Sequence, residues 1–156
     1  MTAGTLEARL REVEDKLAIQ ELMSLYCFHA DNRDGANWSE VFAEDGVFEA
    51  DLLGSWQGRE AIKALRHRDF AIHYNTNSII KIDGDTAFGR WLLFMPTSLD
   101  LEDGSHKPVW AAAKYENDLV RVNGAWKFKK VKLISIMWAS FEEGWEKNRF
   151  SDMDKK

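Results

Sequence analysis

The chain has 156 residues, 45% of them hydrophobic and 30% charged, with seven Trp, nine Phe and three Tyr against two Pro. That composition fits one folded domain and excludes a disordered or fibrous chain. A net charge of −5 speaks against a nucleic-acid partner held by phosphate contacts, and a single cysteine excludes an intramolecular disulfide. No Cys/His cluster has zinc spacing, so no metal is expected. No apolar run reaches the roughly 18 residues of a membrane span. The N-terminal MTAGTLEARLREVED is charged and mixed, unlike a signal peptide. No membrane partner is expected, and the cytoplasm is the expected compartment.

In chain order, Leu6, Leu10, Val13, Leu17, Met23 and Tyr26 recur at spacings near three and four, which predicts a helix with an apolar face. Thr5 suits its N-cap and Glu7 its first turn. The helix is expected to run to about Asp31, where NRDG stops it. A short second helix is expected around Trp38 to Phe42, a turn at EDG (44–46), and a strand from Val47 to Asp51. Gly58 to Arg68 reads as a third helix with Ile62 and Leu65 on one side. From His73 the pattern changes to strands. Thr76 to Ile82 is one, Asp83-Gly84-Asp85 a hairpin turn, and Thr86 to Ser98 a long strand rich in aromatics. After the polar loop DLEDGSHK, strands from Pro108 to Val122 and Ala125 to Ala139 flank Asn123-Gly124, the strongest hairpin signal in the chain. The tail FEEGWEKNRFSDMDKK is expected to be partly ordered by its Phe and Trp residues.

Helices segregated from a strand meander define the α+β class. The expected architecture is a cone-shaped α+β barrel, a strongly curved and mostly antiparallel sheet wrapped by three N-terminal helices. Its concave interior is a site for a small molecule. One domain is expected over 1–156, with a core of about residues 12–140 and a tail from 141.

Three stretches carry a resemblance: the KLAIQELMSLYCFHAD helix, the IHYNTNSIIKIDGDTAFGRW strand pair and the YENDLVRVNGAWKF hairpin. Together they resemble the SnoaL-like branch of the nuclear-transport-factor-2-like superfamily. Within it the chain is similar to the group of gamma-hexachlorocyclohexane dehydrochlorinase, scytalone dehydratase and bile-acid dehydratase. The resemblance implies a lyase that needs no cofactor, and a pair formed by a helix-end Asp and a His at the start of a strand. Asp31 and His73 fall at those positions. Scytalone dehydratase carries a further His in the penultimate strand, whereas KPVWAAAKYEN has none. The Ala111-Ala112-Ala113 run is read as room for a bulky ligand.

An imidazole near neutral pKa takes a proton from carbon or a hydroxyl without a metal, so His73 is the candidate base. A carboxylate on its other nitrogen would fix the tautomer, the role given to Asp31. The helical wheel places Asp31 away from the apolar stripe, so only the resemblance brings it into a pocket. Tyr26 and His29 lie three apart on one helix and share a face; either is a candidate proton donor or ligand anchor. Trp91, Trp110 and Trp138 on the long strands are candidates for an aromatic cage, or else core. Alternation puts Trp110, Ala112 and Lys114 on one face of their strand and Val109, Ala111, Ala113 and Tyr115 on the other. Lys114 and Arg90 are candidates for holding developing negative charge, or else rim residues. Cys27 reads as inert packing and His67 as exposed.

These residues lead to the expectation of a cofactor-independent lyase acting on a small hydrophobic, aromatic or cyclic substrate. Water, halide or an aldehyde would leave by elimination or a retro-aldol route. An isomerase or polyketide cyclase using the same dyad, and a non-catalytic binding or oligomerisation module, are the alternatives. A sheet face so rich in Trp and Val is expected to be covered in a homo-oligomer, a trimer or dimer.

Overall fold

The computed structural model describes residues 4–65, 68–101 and 103–151. His67 lies outside the described residues. The elements are α1 (Leu6–Asp31), α2 (Gly35–Glu40), β1 (Phe42–Ala50), β2 (Gly54–Gln57), α3 (Arg59–Lys63), β3 (Tyr74–Asp83), β4 (Thr86–Asp100), β5 (His106–Val122), β6 (Ala125–Ser140) and α4 (Gly144–Lys147). The fold is α+β: one curved, unclosed sheet in the order β2-β1-β6-β5-β4-β3 with the helices packed against it. All neighbours are antiparallel except β1 and β6. No helix among the described residues is long and apolar enough to cross a membrane.

Local chemistry accounts for the main boundaries. The Thr5 hydroxyl accepts from the Ala8 N–H at 3.2 Å and caps α1. The Asp34 carboxylate accepts from the Asn37 N–H at 3.1 Å and starts α2 three residues before the expected Trp38. Asn123 and Gly124 both take positive φ (50° and 83°), the geometry of a two-residue hairpin turn that joins β5 to β6. Residues 44–46 form no free turn but an irregularity inside β1, where the register on β6 shifts between Phe42 and Val47. A Cβ on Gly46 would lie 2.9 Å from the Ala43 carbonyl, so the backbone closes tightly there. Strand β2 was not expected; only Trp56 in GSWQ favours a strand, and its pairing with β1 is a tertiary contact. Helix α3 ends at Lys63, short of the expected Arg68.

The predicted apolar face of α1 divides in two. Ile19, Leu22, Met23, Tyr26 and Cys27 are buried against the sheet, whereas Leu6, Leu10, Val13 and Leu17 are exposed. At about 100° per residue, Leu17 and Ile19 stand roughly 200° apart, so the spacing describes two stripes on opposite sides. The start of α1 is held by one inward group. Arg121 Nη2 and Trp126 Nε1 donate to Asp15 Oδ1 at 2.8 and 3.0 Å, tying α1 to the β5–β6 hairpin.

Strand parity decides what faces the interior. On β5, Val109, Ala111, Ala113, Tyr115, Asn117 and Leu119 point inward. On β4, Trp91, Leu93, Met95 and Thr97 do so. The Trp91 ring lies over Gly89, where a Cβ would come 2.2 Å from the indole. Past β6, the Trp138 N–H donates to the Arg149 carbonyl and the Ser151 N–H to the Trp138 carbonyl, both at 2.8 Å, so the tail folds back along the sheet.

Candidate active site

The last turn of α1 and the segment before β3 meet inside the cone. Arg33 adopts φ 58° just beyond the helix, which leaves Asp31 as the last helical residue. Residues 70–72 add to the end of β4. The Phe70 carbonyl accepts from the Ser98 N–H at 2.9 Å and the Thr97 hydroxyl at 2.7 Å, and the Ile72 N–H donates to the Pro96 carbonyl at 3.2 Å. Together with the pairing of Tyr74 and Phe94, these bonds fix the backbone on both sides of His73.

His73 therefore faces Asp31 across 42 residues of chain. Asp31 Oδ1 lies 2.5 Å from His73 Nδ1, and Oδ2 accepts from the His73 backbone N–H at 3.0 Å. One carboxylate holds both the ring and the main chain. A neutral ring in this setting keeps its proton on Nδ1 and leaves a lone pair on Nε2. Nε2 has no hydrogen bond among the described residues. The histidine side chain is 14% exposed and the aspartate 23%, so the pair is partly dry yet reachable.

His73 lines two spaces. One is an apolar chamber of about 140 Å³, walled by Tyr26, Trp38, Phe48, Trp56, Tyr115 and Trp138 among others. The other is a polar groove of about 470 Å³ between α1 and β3, lined by Gln20, Ser24, Asn75 and Trp91. Tyr26 sits at the centre of the aromatic packing, 5.3 Å from Trp38, 5.9 Å from Tyr115 and 6.5 Å from His73 between ring centroids. The Tyr26 and Tyr115 hydroxyls share a hydrogen bond, and burial pushes both phenols above their ordinary 10.0. They act as hydrogen-bonding groups that keep their protons. Burial likewise pushes the Cys27 thiol up to about 12, although Asn75 Nδ2 donates to its sulfur at 2.8 Å.

Of the residues singled out in the sequence, His73, Tyr26 and Trp138 line the chamber, Asp31 is bonded to His73 behind it, and Trp91 joins the groove. The other four do not. His29 turns toward the α1–α2 junction, 3.7 Å from Asp34 Oδ2, and lines neither space. Trp110 is on the outer face of the sheet, stacked on Phe94 at 5.5 Å. Lys114 and Arg90 share that face; Arg90 Nη2 pairs with Glu116 Oε1 at 3.1 Å. Lys114 is exposed, so the cost of a buried ammonium never arises. Alternation had separated the two faces of β5 correctly but could not say which faces inward.

The structure adds residues that sequence reasoning passed over. Tyr115 was legible as the partner of Ala111 and Ala113 in parity. Trp38 and Trp56 had no local signal, since each reaches the chamber through packing of a short element. Arg68 was assigned to a helix; it lines the chamber instead, with Cζ 5.1 Å from the Trp138 ring centroid. Among the described residues no three His, Cys, Asp or Glu side chains converge as metal ligands would.

A helix-end Asp and a strand-start His thus meet on a curved sheet of the nuclear-transport-factor-2-like kind. The chain belongs to the family of SnoaL-like domains, whose profile matches residues 11–132. It is 28% identical over 122 residues to an uncharacterized protein of Mycobacterium tuberculosis, covering 74% of this chain and 82% of that one. Among solved structures, a hexachlorocyclohexane dehydrochlorinase (LinA type 3) from Novosphingobium barchaimii superposes with a TM-score of 0.74 at 21% identity, over 85% of this chain and 94% of its own. A putative scytalone dehydratase from Novosphingobium aromaticivorans gives a TM-score of 0.73 at 21% identity, over 83% and 89%. At those identities the two structures share the fold with this chain.

Proposed function

We propose that this protein is a cofactor-independent lyase for a small hydrophobic, aromatic or cyclic molecule, with His73 as general base and Asp31 as its orienting carboxylate. The 2.5 Å contact between Asp31 and His73 carries the reading. A binding module has no need of such a contact, and that reading anticipated two side chains out of reach. His73 Nε2 takes a proton from a substrate carbon while Asp31 stabilises the imidazolium. The electron pair left behind forms the new double bond as the leaving group departs from the neighbouring carbon. Nε2 then returns its proton to the leaving group or to water. Tyr26, protonated and next to the ring, donates a hydrogen bond to charge developing on the substrate. Water and halide leave by this route; in a retro-aldol variant Nε2 takes the proton of a β-hydroxyl instead, the C–C bond breaks as that oxygen becomes the aldehyde carbonyl, and the proton returns to the carbanion carbon. The likeness to a dehydrochlorinase and a putative scytalone dehydratase in fold supports the same class.

The test is turnover of a panel of cyclic β-hydroxy and β-halo compounds, followed by product mass. A product lighter by water or hydrogen halide supports the lyase, and an unchanged mass identifies an isomerase or cyclase on the same dyad. His73→Ala is expected to lose about 10²–10⁴-fold in turnover with its fold intact. Full activity in that variant overturns the assignment. We also propose a homo-oligomer, dimer or trimer, that covers the outer sheet face.

A further inference from the structure

The first half of α1 stands clear of the body. Residues 4–14 are all exposed, and Asp15 is the first to be buried. From Leu6 onward that leaves about 13 Å of helix without support on any side. Most helical stability comes from packing an apolar face, so a bare helix end is a weak one. This end carries such a face. Leu6, Leu10, Val13 and Leu17 are between 53% and 78% exposed. Their spacings of four, three and four are those of the d, a, d and a positions of a heptad, the seam of a coiled coil. Gln20, the next seam position, donates to Ser78 Oγ on β3 at 3.2 Å, so the seam ends with Leu17. Asp15 and Leu22 fall at f, opposite the seam, and both are buried. The body therefore lies behind the seam and leaves room for a second helix in front of it.

Charge selects the occupant. Glu7, Glu14 and Glu21 hold the e positions, and Arg9 and Lys16 hold the g positions. In a parallel pair, each g residue meets the e residue five places on in the other helix. Arg9 then faces Glu14 of the copy, and Lys16 faces its Glu21. An antiparallel pair would set e against e and g against g, with like charges opposed. Lys16 Nζ is bonded to Glu12 Oε1 at 2.6 Å on the surface, an exposed pair of little weight that exchanges at small cost. The acidic edge would be repelled by an anionic membrane. The two edges of the seam complete each other, which suits it to its own copy. We propose that α1 pairs with α1 of a second copy of this chain as a short parallel coiled coil, in register over residues 6–17. The contact is separate from the outer sheet face and independent of the proposed activity.

The test uses the full chain carrying Phe94→Lys, so that the outer sheet face does not mask the helix contact. Self-association is read by sedimentation velocity over a dilution series. Leu10→Glu together with Val13→Glu should weaken it at least about tenfold, because two apolar side chains of each helix leave the seam. Arg9→Glu and Glu14→Arg set like charges opposite each other and should each weaken it about fivefold. The double reversal sets opposite charges face to face again and should restore it. In a parallel register an a position meets its own equivalent, so Leu10→Cys should give a disulfide-linked dimer on mild oxidation. Without that substitution the single thiol, Cys27, is buried and should give none. Circular dichroism checks that each variant is folded; all the altered α1 positions are exposed. A monomer at every concentration, association that ignores the Leu10 and Val13 changes, no recovery in the double reversal, or no cross-link through Leu10→Cys overturns the proposal. So does seam-dependent binding to vesicles of phosphatidylcholine and phosphatidylglycerol in place of self-association.

Discussion

Asp31 engages His73 through two oxygens with different tasks, one on the ring and one on the backbone N–H. Asp31→Asn keeps the size but replaces one acceptor with a donor, so the ring loses its fixed tautomer. Turnover should fall about 10²–10⁴-fold, the span of a general-base contribution, with little change in KM; steady-state kinetics on whichever panel compound turns over would decide it. The aspartate was placed here by resemblance alone, because α1 periodicity points it away from the apolar stripe. It reaches the site because Arg33 ends the helix in a left-handed turn and because β4 holds residues 70–72 beside it. Cys27 offers a test of the same interior. Its thiol rises from 9.0 to about 12 in the folded state, chiefly through burial. A raised folded value means that stability is fully present below pH 9.0 and is lost as pH climbs toward 12. Cys27→Ser should flatten that alkaline loss in urea titrations, and thiol reagents should label Cys27 at neutral pH only after unfolding.

Helix α1 shows what an element adds to its residues. The sequence spacing correctly predicts a helix from Leu6 to Asp31, but its sheet-facing side is set by Ile19, Met23 and Tyr26, not by Leu6 to Leu17. Asp15 marks where the helix first touches the body. Burial raises its carboxyl, but hydrogen bonds from Arg121 and Trp126 and the charges of Arg121 and Arg11 outweigh that and hold it below the ordinary 3.8. A lowered folded value gives stability that is present above pH 3.8 and is lost as pH falls through the folded value. Asp15→Asn should cost about 1–3 kcal/mol at neutral pH and make the acid limb shallower, as measured by urea unfolding at several pH values. Strand β2 and the displaced start of α2 belong to the same scale. A four-residue strand exists only because β1 lies beside it, and a six-residue helix is started by its Asp34 cap and held by Trp38, packed against Tyr26, Phe42 and Phe48.

At the scale of the molecule, the sheet buries one face and leaves Leu92, Phe94, Ile136 and Phe141 exposed on the other. Light scattering is expected to give a mass that is a multiple of 18.0 kDa. Phe94→Lys, whose side chain points away from the chamber, should shift the protein toward monomer while leaving ligand binding in place. A monomeric wild type would sink the idea of a covered face. What the amino-acid sequence determined alone was local: helix and strand types, the Asn123-Gly124 turn, and the two faces of each long strand. Each of these follows from backbone propensity and period-two or 3.6 patterning within a few residues. Only the tertiary structure decided which face turns inward, and so removed Trp110, Lys114, Arg90 and His29 from the chamber and brought in Tyr115 and Arg68. Facing is set by sheet curvature and by pairings between segments far apart in the chain, and local periodicity holds no record of them.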